Sequence, residues 1–322
     1  MMHLVCLGHA KCGTTLLDSV FRQSQLVATP AEAKEIKFFL PRVFEKHGAR
    51  ERYLGLFATA NGAQGVGVTF EASPPYSHQT PEVLREVLAN IVDILEDPRI
   101  VLCFRQPVLR AYSHYIHNLH SFALYGEGAF APRPDLLRKP CTMSFEEALT
   151  STSRLATRYA TTLRLACDAV GRDRLLLFFL ERDAARLGNW IAQYVGQDVA
   201  AELEGAAARS GTVFGRRPIP NYVAYGDSLH AFGSLPGEHV LYADAGPAAV
   251  RAALEAKNNW TLSLEPEEVV RLTSAYFQDD LRKCVELTGE PYFLEYLRPP
   301  ALSETAELSP CSLLRDLHGV EV

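Results

Sequence analysis

The residues best suited to chemistry stand near the start of the chain, where residues 8–15 read G-H-A-K-C-G-T-T. The two glycines of this segment, Gly8 and Gly13, lie five positions apart. Glycines at this spacing let backbone N–H groups turn inward around an anion at the start of a helix. Lys11 adds a compact cation with several hydrogen-bond donors. The segment predicts a cradle for a phosphate-like group, against the plainer alternative of an ordinary glycine-containing turn.

The other residues of the loop complete the predicted cradle. The backbone amides of residues 12–15 and the hydroxyl groups of Thr14 and Thr15 are the expected donors. Cys12 stands at the start of the helix, where the pKa of a thiol can be lowered. A small, tolerated side chain is the favoured interpretation of Cys12, and a reactive thiol is the alternative.

This loop differs from the nucleotide-triphosphatase loop G-x-x-x-x-G-K-[ST] in two ways. Lys11 precedes the second glycine by two residues, and Thr14 takes the usual position of the lysine. The apolar run at residues 100–104 is followed by Arg105, where a triphosphatase carries a carboxylate that holds Mg²⁺. The loop therefore predicts binding of a phosphate-like group without a metal-bound triphosphate.

Alternating elements must position this loop. Apolar runs predict buried strands at residues 3–7, 26–29, 67–71, 100–104 and 175–180. Helical spacing of apolar residues predicts helices at residues 15–23, 81–95, 155–169 and 266–287. A further helix begins near Pro107. The alternation predicts an α/β protein whose parallel sheet is covered on both faces.

The chain is expected to form a single domain over residues 1–298. Two irregular segments, residues 121–142 and 211–247, interrupt the alternation and are interpreted as loop insertions at the active site. Residues 299–322 are expected to form a C-terminal arm at the surface.

Composition narrows the classes of function. The net charge of −6 argues against a dedicated nucleic-acid-binding protein, and no apolar run is long enough to cross a bilayer. Seven scattered cysteines without a C-x-x-C pair, and an N-terminus without a signal-like segment, favour a reduced, cytoplasmic protein. His114, His117 and His120 would spread over about 120° of a helix, so no metal site is predicted. A homo-oligomer is left open.

Four short motifs follow one another along the chain. They are A-K-C-G-T-T at residues 10–15, K-E-I-K-F-F at 34–39, E-A-S-P-P-Y at 71–76 and R-Q-P-V-L-R-A-Y-S at 105–113. They resemble the motifs P-K-x-G-T-T, K-E-x-x-F-F, E-K-[ST]-x-x-Y and R-x-P-x-x-R-x-x-S of the sulfotransferases that use 3′-phosphoadenosine-5′-phosphosulfate (PAPS). The similarity is closest to the heparan sulfate and related carbohydrate sulfotransferases, and it spans most of the chain.

The resemblance implies a three-layer, P-loop-like α/β sandwich. Its central parallel sheet would have about five strands in the order 2-3-1-4-5. That order places the strand before Lys11 between the strands that end near Glu71 and Arg105.

The resemblance also implies an activity, the transfer of a sulfuryl group from PAPS to a hydroxyl group, with an amine as the less favoured acceptor. Lys11 would neutralise charge on the leaving group, and no metal is expected. Glu35 would take the proton of the acceptor, with His78 as the alternative base. Ala72 stands where some relatives have an active-site lysine, a role left vacant or taken by Lys34 or Lys37.

Further residues are assigned to the two substrates. By resemblance, Arg105 and Ser113 would bind the 3′-phosphate of the donor, and Arg216 and Arg217 would belong to a basic loop that closes over the same phosphate. Four residues are expected on the acceptor side: Lys34, Lys37, Glu71 and Tyr76. For Glu71, the orientation of a lysine and a purely structural carboxylate are the alternatives.

The acceptor is expected to be a small molecule, a carbohydrate or a glycosylated compound. The motifs favour a sugar, whereas the lack of targeting signals favours a small molecule in the cytoplasm. Two other classes of function stay open: a P-loop kinase that uses ATP and Mg²⁺, and a non-catalytic nucleotide-binding module.

Overall fold

The computed structural model describes residues 1–59, 67–115, 145–151, 158–204, 264 and 266–300, together with the backbone of five short strands between residues 218 and 261. The chain divides into two compact units. The first comprises residues 1–110, 157–212 and 273–298, and the second comprises residues 111–156, 213–272 and 299–322. The predicted insertion at 121–142, most of the insertion at 211–247 and most of the C-terminal arm lie outside the described residues.

The first unit is built on a six-stranded sheet. Its strands are β1 (Met2–Gly8), β2 (Val27–Pro30), β3 (Phe57–Ala58), β4 (Val68–Ala72), β5 (Pro98–Phe104) and β6 (Leu175–Phe179). They lie side by side in the order β3-β2-β4-β1-β5-β6. Neighbouring strands are parallel, except that β2 and β3 run antiparallel.

The predicted parallel sheet is confirmed. Counted without β3, the strands follow the order 2-3-1-4-5, and β1 lies between β4 and β5 as expected. The expected count of about five strands misses β3 at the edge. Because β3 has only two residues, it carries no periodic pattern that a sequence could reveal.

Eleven described segments are helical. They are α1 (Thr14–Phe21), α2 (Ala49–Leu54), α3 (Pro81–Ile94), α4 (residues 107–115), α5 (Phe145–Ser151), α6 (Tyr159–Val170), α7 (Leu180–Asp183), α8 (Leu187–Tyr194), α9 (Gln197–Glu202), α10 (Pro266–Tyr276) and α11 (Gln278–Thr288). Short 3₁₀ segments include Pro74–Tyr76 and Pro291–Leu297.

The single helix expected over residues 266–287 is two helices. Phe277 separates α10 from α11 with φ −126° and ψ −9°, outside the helical range. Its side chain is fully buried, and the Arg158 guanidinium lies 5.9 Å from the centre of its ring. The apolar pattern of the sequence continues across residue 277, so it does not reveal that the helix is interrupted there.

Helices cover both faces of the large sheet. Alternate residues of β1, Leu4 and Cys6, belong to one apolar cluster with residues of α1 and α8 such as Phe21 and Trp190. On the other face, α6 packs against β5 and α3 packs against α6. The central strands are buried over most of their length because both of their faces are covered, as their apolar runs indicate.

Five short strands belong to the second unit. The three strands β8 (Tyr222–Tyr225), β9 (Ser228–Phe232) and β10 (Tyr242–Ala245) form an antiparallel sheet, and β7 (Pro218–Ile219) pairs with β11 (Trp260–Thr261). No helix in the described part of the chain combines the length and apolar character needed to cross a bilayer.

Candidate active site

The predicted phosphate loop is a tight turn between β1 and α1. Gly8, Lys11 and Gly13 have positive φ angles of 117°, 67° and 90°. A Cβ atom on Gly8 would lie 2.6 Å from Ser77 Oγ, and one on Gly13 would lie 2.7 Å from Leu180 Cδ1. Both glycines are therefore required by space as well as by backbone conformation. The turn delivers the N-terminus of α1, which has no side-chain cap, to the carboxyl edge of the sheet.

His9 supports this loop from inside the protein. Its backbone N–H and its Nδ1 both lie within hydrogen-bond distance of the Cys103 carbonyl oxygen, at 2.9 and 3.1 Å. Its ring packs between those of Phe104 and Tyr159. Burial lowers the pKa of His9 to about 3, so the neutral ring donates from Nδ1 to the carbonyl. Sequence reasoning missed His9 because the motif leaves its position unspecified.

Cys12 is a structural residue. Burial raises the pKa of its thiol to about 12, which makes the lowered pKa considered from its place at the helix start wrong. The loss of hydration outweighs the positive charges of Arg110 and Arg105, which lower this pKa in part. The sulfur lies 3.7 Å from the Tyr159 hydroxyl oxygen, and the backbone N–H donates to the His9 carbonyl at 3.3 Å.

Lys34 brings a second ammonium group to the loop. Its Nζ lies 3.2 Å from both Thr14 Oγ1 and Thr15 Oγ1, and it donates to both hydroxyl oxygens. Lys37 pairs with Glu35 instead, with 4.0 Å between its Nζ and Glu35 Oε2. Of the two lysines considered for the role left by Ala72, Lys34 therefore lies at the phosphate loop.

Glu35 lies between the two lysines. Its Oε1 is 3.7 Å from Lys34 Nζ and its Oε2 is 4.0 Å from Lys37 Nζ. The Glu35 side chain is 35% exposed, so its carboxylate is open to a molecule that approaches from solvent. The structure thus brings the candidate base to a lysine that contacts the phosphate loop.

Glu71 and Tyr76, expected on the acceptor side, are both fully buried. Glu71 accepts hydrogen bonds from Ser73 Oγ at 2.8 Å and from the Tyr76 hydroxyl at 3.3 Å. Burial raises the pKa of Glu71 to about 7, and these two hydrogen bonds oppose part of the rise. In this structure both residues face the protein interior, and neither is open to a substrate.

Arg105 stands at the carboxyl end of β5, next to the phosphate loop. Its Nη1 donates to the Lys11 carbonyl oxygen at 3.4 Å, and its Nε lies 3.9 Å from Glu181 Oε1. The Tyr159 hydroxyl donates to the Arg105 carbonyl oxygen at 2.8 Å. Arg105 therefore connects the loop to the neighbouring edge of the sheet.

Glu181 was not predicted, although the sequence carries a signal for it. It follows the apolar strand β6 almost directly, and ligands of open α/β sheets bind at the carboxyl ends of strands. Besides Arg105, Glu181 accepts hydrogen bonds from the backbone N–H of Gln106 at 3.1 Å and the hydroxyl of Tyr296 at 3.2 Å. The loss of hydration raises the pKa of Glu181, and the positive charge of Arg105 lowers it in part.

The remaining predicted residues have different placements. His78 is half-buried after the 3₁₀ segment Pro74–Tyr76, and it contributes to the lowered pKa of His9. Ser113 is half-buried in α4, within the second unit. Arg216 and Arg217 lie outside the described residues, as do two of the three histidines considered for a metal. Within the described part, no group of three or more metal-ligating side chains occurs.

Comparisons with known proteins give a fold. No family model and no curated protein matches the chain. Among solved structures, a sulfotransferase from Alicyclobacillus acidocaldarius is similar with a TM-score of 0.52 and 19% identity, over 89% of this chain and 95% of that one. The sulfotransferase domain of an olefin synthase from Synechococcus PCC 7002 is more distant, with a TM-score of 0.38 and 15% identity, over 66% of this chain and 78% of that one. The chain thus shares its fold with a solved sulfotransferase.

Proposed function

We propose that this protein is a sulfotransferase that moves a sulfuryl group from PAPS to a hydroxyl group and releases adenosine 3′,5′-bisphosphate. The observation that carries the proposal is the convergence of Lys11, Lys34 and Arg105 on one glycine loop. Arg105 follows β5 where a triphosphatase would hold Mg²⁺ with a carboxylate. A fold shared with a solved sulfotransferase supports the same assignment.

The loop fits the phosphosulfate end of such a donor. Positive φ at three loop positions turns the chain around the N-terminus of α1, and added Cβ atoms at the two glycines would collide with their neighbours. Backbone N–H groups of the first helical turn have no partner within the helix and suit phosphate oxygens. PAPS, when bound, supplies the sulfuryl group and a phosphate leaving group.

Negative charge builds up on the leaving phosphate during the transfer. A bond forms between the acceptor oxygen and sulfur while the bond from sulfur to the bridging phosphate oxygen breaks, and the electron pair stays on the phosphate. Lys11 and Lys34 would stabilise that charge, which is largest in the transition state. The ammonium of Lys34 already holds the hydroxyl groups of Thr14 and Thr15 in the structure.

Glu35 would accept the proton of the attacking hydroxyl group. The carboxylate is exposed enough to reach an acceptor, and its Oε1 lies 3.7 Å from the lysine that contacts the loop. His78 remains the alternative base, since it is half-buried near the loop residue His9. Lys37, on the far side of Glu35, would contact the acceptor.

The 3′-phosphate of the donor is assigned to Arg105, with Ser113, Arg216 and Arg217 as further ligands. Arg105 fits this role because its guanidinium is partly exposed and lies at the sheet edge beside the loop. A guanidinium can bind two phosphate oxygens at once. The acceptor proposed here is a small molecule, a carbohydrate or a glycosylated compound.

A donor-loaded activity screen tests the assignment. The protein is incubated with PAPS and a panel of glycosides, phenols and amino sugars, and products are examined by mass spectrometry for an added sulfuryl group. Lys46→Ala is the matched control for the variant Lys11→Ala, because Lys46 is an exposed lysine that pairs with Asp93. Products that appear only with ATP and Mg²⁺, and carry phosphate, would overturn the proposal in favour of a kinase.

A further inference from the structure

The carboxylate of Glu71 is joined to the loop at residues 34–39 through two hydroxyl groups. Ser73 Oγ donates to Glu71 Oε2 at 2.8 Å and accepts from the backbone N–H of Lys37 at 3.1 Å. The Tyr76 hydroxyl donates to Glu71 Oε1 at 3.3 Å and accepts from the backbone N–H of Phe39 at 3.2 Å. We infer that Glu71 is a positioning residue, which fixes the loop that carries Lys34 and Glu35.

A carboxylate suits this task because it only accepts hydrogen bonds. With both of its oxygens accepting, each hydroxyl proton points toward Glu71, and the lone pairs of each hydroxyl face the loop. A neutral acid would carry a proton on one oxygen and would compete for the orientation of one hydroxyl group. The ionised form of Glu71 therefore orients both hydroxyl groups so that each one donates to Glu71 and accepts from a backbone N–H of the loop.

The loop needs such connections because its backbone is not held by regular structure. Residues 34–40 contain no helix or strand, and Lys37 has a positive φ of 53°. The Phe39 ring packs against Tyr53 and Tyr76, and Asn90 donates to the Phe39 carbonyl oxygen at 3.2 Å. These contacts fix one end of the loop, whereas the connection through Ser73 reaches Lys37, two residues from Glu35.

The surroundings of Glu71 make its ionisation sensitive to pH. It is fully buried, its pKa is raised to about 7, and the groups that lower that pKa are the hydroxyls of Ser73, Tyr76 and Tyr53. The charged groups of the connected loop pair with one another instead, since Glu35 lies 3.7 Å from Lys34 Nζ and 4.0 Å from Lys37 Nζ. No cation among the described residues contributes to the pKa of Glu71.

Hydrogen exchange at the Lys37 and Phe39 amides tests the inference without any substrate. At about pH 8, Glu71→Gln should lower the protection of both amides by roughly tenfold, the value of a hydrogen bond to a charged group. The hydrogen bonds of Ser73 and Tyr76 lower the pKa of Glu71, so a local opening that breaks them while Glu71 stays buried becomes easier when Glu71 is protonated. In the unmodified protein, protection corrected for intrinsic exchange should therefore fall between about pH 8 and pH 6, and in the variant it should not. Unchanged protection of both amides in a folded Glu71→Gln protein would overturn the inference.

Two further variants keep the test decisive if Glu71→Gln does not fold. Ser73→Ala should deprotect Lys37 alone, and Tyr76→Phe should deprotect Phe39 alone. Asp183→Asn is the matched control, since Asp183 is a buried carboxylate that accepts from the backbone N–H of Phe179 in β6. Equal effects of this control and of the two hydroxyl variants on the loop amides would mean general destabilisation and would overturn the inference.

The inference rests on the proposed function only for its consequence in turnover. There, Glu71→Gln should lower kcat by roughly tenfold and leave the affinity for adenosine 3′,5′-bisphosphate unchanged. If the hydrogen-exchange experiment contradicts the role of Glu71, the proposed sulfuryl transfer is not affected. If the protein transfers no sulfuryl group, the loop amides can still show the predicted protection. The two failures are therefore distinguishable.

Discussion

On the β4 side of the central strand, the loop with Glu35 is held by hydroxyl groups that end on the fully buried carboxylate of Glu71. On the β5 side, Arg105 is held by an ion pair with the partly exposed Glu181, at 3.9 Å. A buried network fixes a geometry, whereas an exposed ion pair is weak and can be exchanged for a ligand. Under the proposed function, this difference suits a fixed base, Glu35, on one side and a phosphate-binding cation, Arg105, on the other.

The largest expected effect is on the fixed side. Glu35→Gln keeps the shape of the side chain but cannot accept a proton, so turnover should fall by roughly a hundredfold to ten-thousandfold. Donor affinity should stay near normal because Glu35 is not assigned to the donor. Turnover and donor affinity are measured for this variant beside His78→Ala. Loss of activity in the histidine variant alone would move the role of base to His78.

Lys11 lies between the two sides, in the loop that both of them support. Lys11→Ala should lower turnover by roughly a hundredfold to a thousandfold, because charge on the leaving phosphate grows mainly in the transition state. Binding of adenosine 3′,5′-bisphosphate should weaken much less. Steady-state kinetics with calorimetry separates the two quantities, and turnover within a few-fold of the unmodified protein would contradict the role.

On the exchangeable side, Arg105→Ala should weaken binding of adenosine 3′,5′-bisphosphate by roughly tenfold or more. The affinity for 5′-AMP, which has no 3′-phosphate, should hardly change. Calorimetric titration of both nucleotides into both proteins, without magnesium, gives the four affinities. Equal affinity of the unmodified protein for the two nucleotides would argue against PAPS as the donor.

The smallest expected effect concerns the partner of Arg105. Glu181→Gln removes the charge that competes with a phosphate for this guanidinium, so affinity for the bisphosphate should rise by roughly two- to fivefold. The carboxamide can still accept from the backbone N–H of Gln106. The same calorimetric titration measures the affinity for the bisphosphate, and Glu202→Gln, at a carboxylate that accepts from Ser24, is the control. Weaker binding would mean that Glu181 orients Arg105 and does not compete with the ligand.

The sequence pattern predicted the five parallel strands and the place of the glycine loop, and the order of the strands came from the resemblance to the sulfotransferases. The strands and the loop have strong local signals, namely unbroken apolar runs and two glycines at positions with positive φ. The sequence could not show that Glu71 turns inward, since a carboxylate at the end of a strand can face either the core or solvent. At Cys12 the sequence favoured a small, tolerated side chain and kept a lowered thiol pKa as the alternative, and burial in the packed protein overturns that alternative.

Residues that contact the loop from distant parts of the chain were the hardest to find. His9 and Tyr159 gain their importance from ring packing, and their separation in sequence carries no pattern. Glu181 was within reach of the rule that ligands bind at the carboxyl ends of strands. The assignments of Ser113, Arg216 and Arg217 stay predictions.

The three thiols beneath the site give the protein an internal reporter. Cys6, Cys12 and Cys103 are fully buried, and burial raises the pKa of Cys12 and Cys103. Because only an accessible thiolate reacts with alkylating reagents, labelling at these positions requires the sheet and the loop to open. The rate of labelling, followed by peptide mass spectrometry, therefore measures how often this region unfolds. A ligand bound at the loop would slow that rate in proportion to its occupancy, which provides a binding assay that needs neither turnover nor a known acceptor.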